Sequence, residues 1–292
     1  MRIGPFVVPR MFAVHGAAAL VGIVIVVMLL RGALIGETVA SCSDRFNNGT
    51  VYGLETRNGL LSPGELQAGL AGRDFGVMEN LDIITFNSST AKAGLRVRLA
   101  ALGTSSTSDA RIDNGIDFGW APKKMPNARV ACLSYNVRLP ADFKHGDGGR
   151  LPSLIGAPSD AAGDQRTIAA QLIWTQGGNL SLDIKSEAPD DGSISATAVH
   201  SDARLPTGVW ARIDQEVVLN TPGEADGEIR LWVDGALMIN RDGLLFRRDP
   251  KTFLNGVAVT VAYAGSRSET ASAQPAAIDV SPFEIRWPDP AR

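Results

Sequence analysis

The sequence predicts an all-β protein, an antiparallel β-sandwich of jelly-roll type, preceded by one apolar segment at the N-terminus. Three observations support this fold class. Several short stretches alternate between apolar and polar residues, as strands with one buried face do. The 31 glycines and 16 prolines favour many turns over long helices. After residue 70, no stretch shows a convincing amphipathic helical period.

The first 40 residues are predicted to be a signal peptide or membrane anchor. Residues 11–30 form a nearly unbroken apolar run, and about 20 such residues suffice to cross a bilayer. Two arginines precede the run and one follows it, which predicts that the rest of the chain is exported. An uncleaved anchor, a cleaved signal ending at Ala40 and a lipoprotein site at Cys42 stay open. Each predicts a periplasmic or extracellular body, with a membrane contact through the N-terminal segment.

The charge balance and the metal-binding residues exclude several partners. The formal net charge is −3, and residues 1–40 hold three arginines and one glutamate, so the remainder carries −5. An acidic body argues against a nucleic-acid partner, because phosphates need a basic surface. Three histidines and two cysteines argue against a zinc cluster. No cofactor is predicted; a structural calcium stays open, although neither acidic turn has the spacing of a calcium loop.

The two cysteines, Cys42 and Cys132, are predicted to form a disulfide. Export would carry them to a compartment that permits disulfides. The bridge would tie the start of the body to the strand before the Gly148-Gly149 corner. The alternative is a buried free thiol at Cys132 and a flexible or lipidated Cys42.

The chain divides into three predicted parts: the segment 1–40, an extension 41–80 that packs on the body, and the β-domain 81–292. In the extension, Ser62 as N-cap, Pro63 at the first helical position and Glu65 at the capping-box position predict a short helix. Alternation or β-branched composition predicts the following strands: 81–86, 94–99, 130–139, 167–175, 179–185, 194–200, 228–233, 236–240, 256–263 and 277–287.

Two glycine-containing turns predict hairpins. Asp234-Gly235 between alternating arms favours a two-residue type I′ turn. Gly177-Gly178 would join strands 167–175 and 179–185 in the same way. That pairing predicts Gln171, Asp183 and Lys185 on one sheet face, near Arg150, as a polar and charged surface.

Two separated motifs resemble those of a known family. The first runs from Asp142-Phe143 through Gly148-Gly149-Arg150-Leu151-Pro152 to Leu172-Ile173-Trp174. The second combines Leu219-Asn220-Thr221-Pro222-Gly223 with Trp232-Val233-Asp234-Gly235. In this order they are similar to the motifs of the jelly-roll polysaccharide lyases that cleave alginate and glucuronan. The likeness covers roughly residues 115–287.

The resemblance implies β-elimination on an acidic, uronate-containing polysaccharide. Arg150 stands where the family typically has lysine and would neutralise the uronate carboxylate. The family's arginines around Leu-Met-Trp fall near Gln171 and Thr175, and its Tyr-x-Tyr pair falls near Asp183 and Lys185. We expect Asp183 and Lys185 to form an ion pair.

Because this chain departs from the family at the tyrosine pair, other residues would have to move the protons, and the predicted site has two sets. The catalytic candidates are Arg150, His145, Lys185 and Tyr263. The substrate-binding candidates are Gln171, Asp183, Arg166 and His200. Two other classes compete with the lyase: a non-catalytic carbohydrate-binding or cell-envelope module on the same scaffold, and a protein-interaction sandwich. Polar residues converging on one face would favour the first two classes over the third.

Overall fold

The structure, a computed structural model, describes residues 39–57, 59–70, 72–99, 115–125, 127–161, 165–187, 196–264 and 276–289. Ala40–Arg292 form one compact unit. The predicted N-terminal segment lies outside the described residues, and within them no helix is long and apolar enough to span a membrane. The described part contains three short helices: α1 (Cys42–Arg45), α2 (Pro63–Gly69) and α3 (Val77–Asn80).

The strands of the described part follow one another in chain order. They are β1 (Asn48–Val51), β2 (Glu55–Thr56), β3 (Gly59–Leu60), β4 (Asp74–Phe75), β5 (Leu81–Thr85), β6 (Ala93–Leu99), β7 (Ile116–Trp120), β8 (Val130–Arg138), β9 (Gly148–Leu151), β10 (Ser153–Pro158), β11 (Ile168–Thr175), β12 (Asn179–Lys185), β13 (Ala196–Arg204), β14 (Trp210–Val218), β15 (Gly227–Val233), β16 (Ala236–Leu244), β17 (Thr252–Tyr263), β18 (Ala276–Val280) and β19 (Glu284–Trp287).

Two antiparallel sheets form the sandwich. The first has the order β16-β15-β14-β8-β18-β6-β5, with β19 also pairing to β8 and β1 pairing to β19. The second has the order β13-β12-β11-β10-β17-β7-β4, and β9 pairs with both β11 and β17. The strands β2 and β3 form a separate small hairpin. The prediction of an antiparallel two-sheet sandwich is confirmed.

The core lies between the sheets because alternate residues of the strands are apolar. In β11, burial alternates along the strand, and Ile168, Ala170, Leu172 and Trp174 are buried. Each residue between them points to the opposite face of the sheet. We call this opposite face, which points away from the first sheet, the outer face of the second sheet.

The predicted local signals have the expected geometry. Ser62 accepts a hydrogen bond from the Glu65 backbone, and the Glu65 side chain accepts one from the Ser62 backbone, which completes the capping box of α2. Asp234 and Gly235 have φ values of 50° and 78°, as the type I′ turn between β15 and β16 requires.

Two predictions about the chain's ends need correction. The predicted last strand 277–287 is two strands, β18 and β19, both paired to β8. Pro282 lies between them and lacks the N–H that a continuous ladder would need. At the other end, β1 adds to the first sheet through β19 and β4 adds to the second through β7. Residues 41–80 therefore extend both sheets as well as pack on them.

The predicted disulfide is present. Cys42 in α1 and Cys132 in β8 are bonded, with an S–S distance of 2.04 Å. Both residues are fully buried and pack with Phe46 and Trp232 on the outer side of the first sheet. Since disulfides persist in oxidising surroundings, the bond indicates an oxidising compartment.

Candidate active site

Arg150 reaches the outer face because two glycines let β9 lie close to β11. A side chain at Gly149 would begin 2.0 Å from the ring of Trp174, and one at Gly148 would begin 2.4 Å from the Trp174 carbonyl oxygen. Gly148 also has a φ of 103°, which favours glycine. The Gly-Gly pair therefore presses β9 over Trp174, and the next residue, Arg150, turns outward.

The corner that follows Arg150 is fixed from the first sheet. The Tyr135 hydroxyl donates to the carbonyl oxygen of Pro152 at 3.1 Å. The Gln215 side chain accepts a hydrogen bond from the Leu154 backbone at 2.8 Å and donates one to the carbonyl oxygen of Ala170 at 2.7 Å. These bonds cross the core, so the corner has a defined position relative to both sheets.

One row of cross-strand partners crosses the outer face at Arg150. Its members are, in order over β17, β9, β11, β12 and β13, Ala262, Arg150, Ile173, Ser181 and His200. Direct partners in a sheet point to the same face. The Arg150 side chain is exposed, and no acidic or carbonyl group among the described residues pairs with its guanidinium. Arg150 is thus a cation available to a ligand.

At the distal end of this row, His200 contacts Ser181. The Ser181 hydroxyl lies 3.1 Å from His200 Nδ1 and donates to the carbonyl oxygen of Val199 at 3.0 Å. Ser181 is fully buried, whereas His200 is exposed. Ser181 was not among the residues predicted from the sequence; its signal was its position two residues before Asp183, on the same face of the alternating strand.

The next row along the sheet contains Gln171 and Asp183, which are direct partners. The predicted hairpin register is therefore correct. The Gln171 amide nitrogen donates to the carbonyl oxygen of Leu151 at 2.7 Å and to the Ser153 hydroxyl at 3.1 Å. Gln171 thus holds the end of β9, and its remaining capacity is that of the Oε1 acceptor. Asp183 is exposed.

Lys185 and Arg166 lie together at one end of the outer face. The Lys185 ammonium donates to the carbonyl oxygen of Arg166 at 2.6 Å. Within the described residues no ion pair joins Lys185 to Asp183, so that expectation is wrong. Lys185 turns instead toward the chain segment that precedes β11. The Arg166 guanidinium pairs with Asp117 at 2.7 Å, and Asp117 also accepts a hydrogen bond from Thr260.

His145 lies beside the turn between β11 and β12. A side chain at Gly178 would begin 2.7 Å from its ring, so the ring lies against this glycine. Its carbonyl oxygen accepts a hydrogen bond from Trp174 Nε1 at 3.0 Å. Burial lowers the pKa of the His145 imidazole, and the charge of Arg204 lowers it further. His145 is not part of the Arg150 row.

Tyr263 lies on the face opposite Arg150. Its neighbour Ala262 pairs with Arg150, so Tyr263 points into the core. There its ring stacks on Phe143 at 5.9 Å, and its hydroxyl donates to the carbonyl oxygen of Lys144 at 2.8 Å. Burial raises the pKa of the phenol to about 12. This position gives no support to a proton-transfer role for Tyr263.

The other two tyrosines are also distant from the outer face. Tyr52 packs against Phe118 and Trp120, and Tyr135 is buried with its ring against Phe283. The chain has three tyrosines, and none of their phenols lies on the outer face. Within the described ranges, moreover, no three His, Cys, Asp or Glu side chains could together hold a metal ion.

Asn220, in the second motif, is a structural residue. Its side-chain oxygen accepts hydrogen bonds from the backbones of Phe246 and Arg247, each at 2.9 Å. Its amide nitrogen donates to the carbonyl oxygens of Thr221, Glu224 and Arg247. Asn220 is fully buried and joins the β14–β15 loop to the segment before β17.

Comparisons with known proteins agree with this architecture. The PL-14 alginate lyase from Aplysia kurodai has a TM-score of 0.60 and 22% identity, covering 74% of this chain and 90% of that one. An alginate lyase from Chlorella virus has a TM-score of 0.57 and 18% identity, covering 74% and 91%. The endo-β-1,4-glucuronan lyase from the fungus Trichoderma reesei has a TM-score of 0.54 and 10% identity, covering 71% and 86%. These likenesses show a shared fold.

The sequence comparisons are more specific. No curated protein sequence matches the chain. Residues 87–282, however, match polysaccharide lyase 14, and this range includes both motifs and every strand of the second sheet except β4. Because the match spans more than half of the sequence, the chain belongs to the polysaccharide lyase 14 family.

Proposed function

We propose that the protein cleaves a uronate-containing polysaccharide of the alginate or glucuronan kind by β-elimination, at the outer face of the second sheet. The observation that carries this proposal is Arg150: an exposed cation without an acidic partner among the described residues, in the centre of a polar sheet face. Family membership supports the reaction class. The alginate and glucuronan lyases that share the fold support the substrate class.

Arg150 would bind the carboxylate of the sugar whose C5 proton is removed. A guanidinium can grip a carboxylate with two parallel hydrogen bonds. Negative charge grows on this carboxylate as the proton leaves, so the same contact strengthens in the transition state and lowers the barrier. The family's lysine would supply the charge at this position but not the paired geometry.

The other polar residues of the face would contact the sugar differently from Arg150. Since the Gln171 amide nitrogen is engaged by Leu151 and Ser153, Gln171 would accept a hydrogen bond from a sugar hydroxyl. Arg166 is already paired with Asp117, so it would shape one end of the site more than attract the polymer. Lys185 and His145 remain candidates for contacts with the polymer at the two ends of the face.

The test is formation of unsaturated uronate, followed by ultraviolet absorbance, on a panel of alginate, glucuronan and related acidic glycans. We expect turnover in the wild type, its loss in Arg150→Ala by a factor of at least about 100, and partial retention in Arg150→Lys. Arg241→Ala is the matched control, because Arg241 is exposed on β16 of the other sheet. Full activity of Arg150→Ala would refute the assignment.

A second candidate function is a non-catalytic carbohydrate-binding module on the same scaffold. The position of the three tyrosines favours it, because no phenol lies on the outer face where the family pattern would have a Tyr-x-Tyr pair. Such a module would bind one acidic glycan through Arg150 without releasing unsaturated product. Affinity electrophoresis in glycan-containing gels separates it from a lyase: retardation with no absorbance change on any glycan supports the module.

We also propose that the body, residues 41–292, is exported and held at the membrane by residues 11–30. The disulfide supports export, since it requires an oxidising compartment. The apolar run supports the anchor. Fractionation of cells that express the full chain tests this: we expect the protein in the membrane fraction, with the body accessible to protease from outside the cytoplasm.

A further inference from the structure

The contact between Ser181 and His200 has a chemical consequence for the outer face. We propose that His200 is the base that removes the C5 proton of the substrate, through Nε2, and that Ser181 fixes the imidazole tautomer this requires. This inference rests on the proposed lyase function and identifies the group that replaces the missing tyrosine pair.

The hydrogen bonds of Ser181 determine which nitrogen of His200 carries the proton. A hydroxyl has one proton to donate, and the carbonyl oxygen of Val199, 3.0 Å away, can only accept. The Ser181 proton therefore goes to Val199, and Ser181 Oγ accepts from His200 Nδ1 at 3.1 Å. In a neutral imidazole with the proton on Nδ1, Nε2 has the free electron pair. That pair belongs to the exposed side of the ring.

His200 is also in the same cross-strand row as Arg150. Three inter-strand spacings separate the two residues, about 14 Å between backbones, and both side chains extend from the outer face into this interval. A sugar bound through its carboxylate to Arg150 would have its C5 hydrogen between the two residues. The other two members between them, Ile173 and Ser181, present no charge.

There is room for a sugar beside His200. An open groove of about 440 Å³ lies between the edge strands β13 and β16, and it is lined by His200, Ser201, Asp202, Ala203, Leu237 and Met238. A polymer that crosses the sheet from Arg150 would pass His200 and continue into this groove. The imidazole is thus beside the path of the chain.

The other candidate bases are less suited than His200. The Tyr263 phenol is in the core on the opposite face. The Lys185 ammonium donates to a carbonyl oxygen and lies two residue pairs away from the row of Arg150 along β12. His145 lies against Gly178 outside that row. His200 is the histidine that combines exposure, a fixed tautomer and the row of Arg150.

The proposed step conserves atoms and charge. His200 Nε2 takes the C5 proton, and the electrons of the C5–H bond become the C4–C5 double bond. The bond between C4 and the glycosidic oxygen breaks, its electron pair stays on that oxygen, and the oxygen takes a proton from water. The imidazolium then returns its proton to solvent, so no cofactor or oxidant is consumed.

The deciding experiment uses His200→Ala and added imidazole on the full-length protein. We expect turnover to fall by at least about 100-fold, glycan binding to stay within about threefold, and imidazole to restore part of the turnover in a concentration-dependent way. Restoration by imidazole would not follow from a structural role. Thr197→Ala, an exposed change on the same strand, is the control for altered β13.

Ser181→Ala tests the positioning role of the serine. Without Oγ, His200 Nδ1 loses its acceptor and the tautomer is no longer fixed. We expect kcat to fall by about 3- to 30-fold, while KM and the urea unfolding midpoint stay close to those of the wild type. A fall in the unfolding midpoint that accounts for the whole loss would overturn this role.

The possible failures are distinguishable. If the wild type forms unsaturated product and His200→Ala keeps its turnover within about threefold, His200 is not the base although the chain is a lyase. If His200→Ala loses turnover and imidazole restores none, the base assignment also fails. If the wild type forms no product from any glycan, the proposed lyase function fails, and the base assignment fails with it.

Discussion

Cys42 and Cys132 join the first helix of the described chain to the central strand β8, across a sequence separation of 90 residues. The bond is fully buried. Arg45, in the same helix, pairs with the buried carboxylate of Glu216 on the neighbouring strand β14 at 2.5 Å. The helix is thus held to the outer side of the first sheet by one covalent and one ionic contact.

Removal of this disulfide should destabilise the protein strongly. For the double variant Cys42→Ala/Cys132→Ala we expect the free energy of unfolding to fall by about 2–5 kcal/mol, because the bond closes a long loop and so restricts the unfolded chain. Urea denaturation measures the change. Reducing agent during unfolding should lower the wild-type midpoint and leave the double variant unaffected. Equal midpoints for the two proteins would contradict the prediction.

Gln215 should be essential for the position of the sheet that carries the site. Gln215→Leu leaves the N–H of Leu154 and the carbonyl oxygen of Ala170 buried without their partner. Each such group costs about 1–3 kcal/mol, so we expect a loss of roughly 2–5 kcal/mol in urea unfolding. Gln176→Leu is the matched control, because Gln176 is exposed at the hairpin tip. It should change stability by less than about 0.5 kcal/mol.

The buried tyrosines predict a loss of stability at high pH. Burial raises the pKa of Tyr52 and of Tyr263 to about 12, above the value of 10.0 for a free tyrosine. Between pH 10 and 12 the unfolded chain therefore loses protons that the folded protein keeps, and the free energy of unfolding falls as pH rises. Below pH 10 this contribution is fully present.

Tyr263→Phe isolates the contribution of one phenol. The variant has no proton to lose at this position, so its stability should fall less steeply than that of the wild type over the same pH range. It should also keep its lyase activity, because the hydroxyl bonds Lys144 on the core side. Equal slopes in urea unfolding at a series of pH values would contradict the first expectation, and lost turnover with normal folding would contradict the second.

The sequence contained enough information for the local structure and for part of the site. Alternation in β11 and β12, with glycines between them, predicted that Gln171 and Asp183 share a face, and they are direct partners. The capping box and the Asp234-Gly235 turn were predictable because each depends on residues within a few positions of one another. Short-range chemistry of this kind is visible in the sequence.

The remaining site residues depend on contacts that short-range patterns do not encode. His200 meets Ser181 only through the pairing of β12 with β13, whose register is set across the intervening segment 186–195. Tyr263 ends a strand that is apolar on both faces over much of its length, so alternation does not reveal its direction. Lys185 turns to the carbonyl oxygen of Arg166, a contact between separate parts of the chain.

Asp183 provides a test of the electrostatics of the face. Its exposed carboxylate lies in the row next to Arg150, so it should repel a polyanion that Arg150 attracts. Two unit charges about 7–10 Å apart in water interact by roughly 0.5 kcal/mol, or about two- to threefold in binding. Asp183→Asn should therefore lower KM for a uronate polymer by about that factor, with kcat little changed.

The salt dependence separates this effect from a direct contact with the sugar. If repulsion is the cause, the difference in KM between Asp183→Asn and wild type should shrink as ionic strength rises, because salt screens exposed charges. Asp242→Asn makes the same change of charge on β16 of the other sheet and should leave KM unchanged. A higher KM in Asp183→Asn at every salt concentration would mean that the Asp183 carboxylate accepts hydrogen bonds from sugar hydroxyls, and that its contacts outweigh its charge.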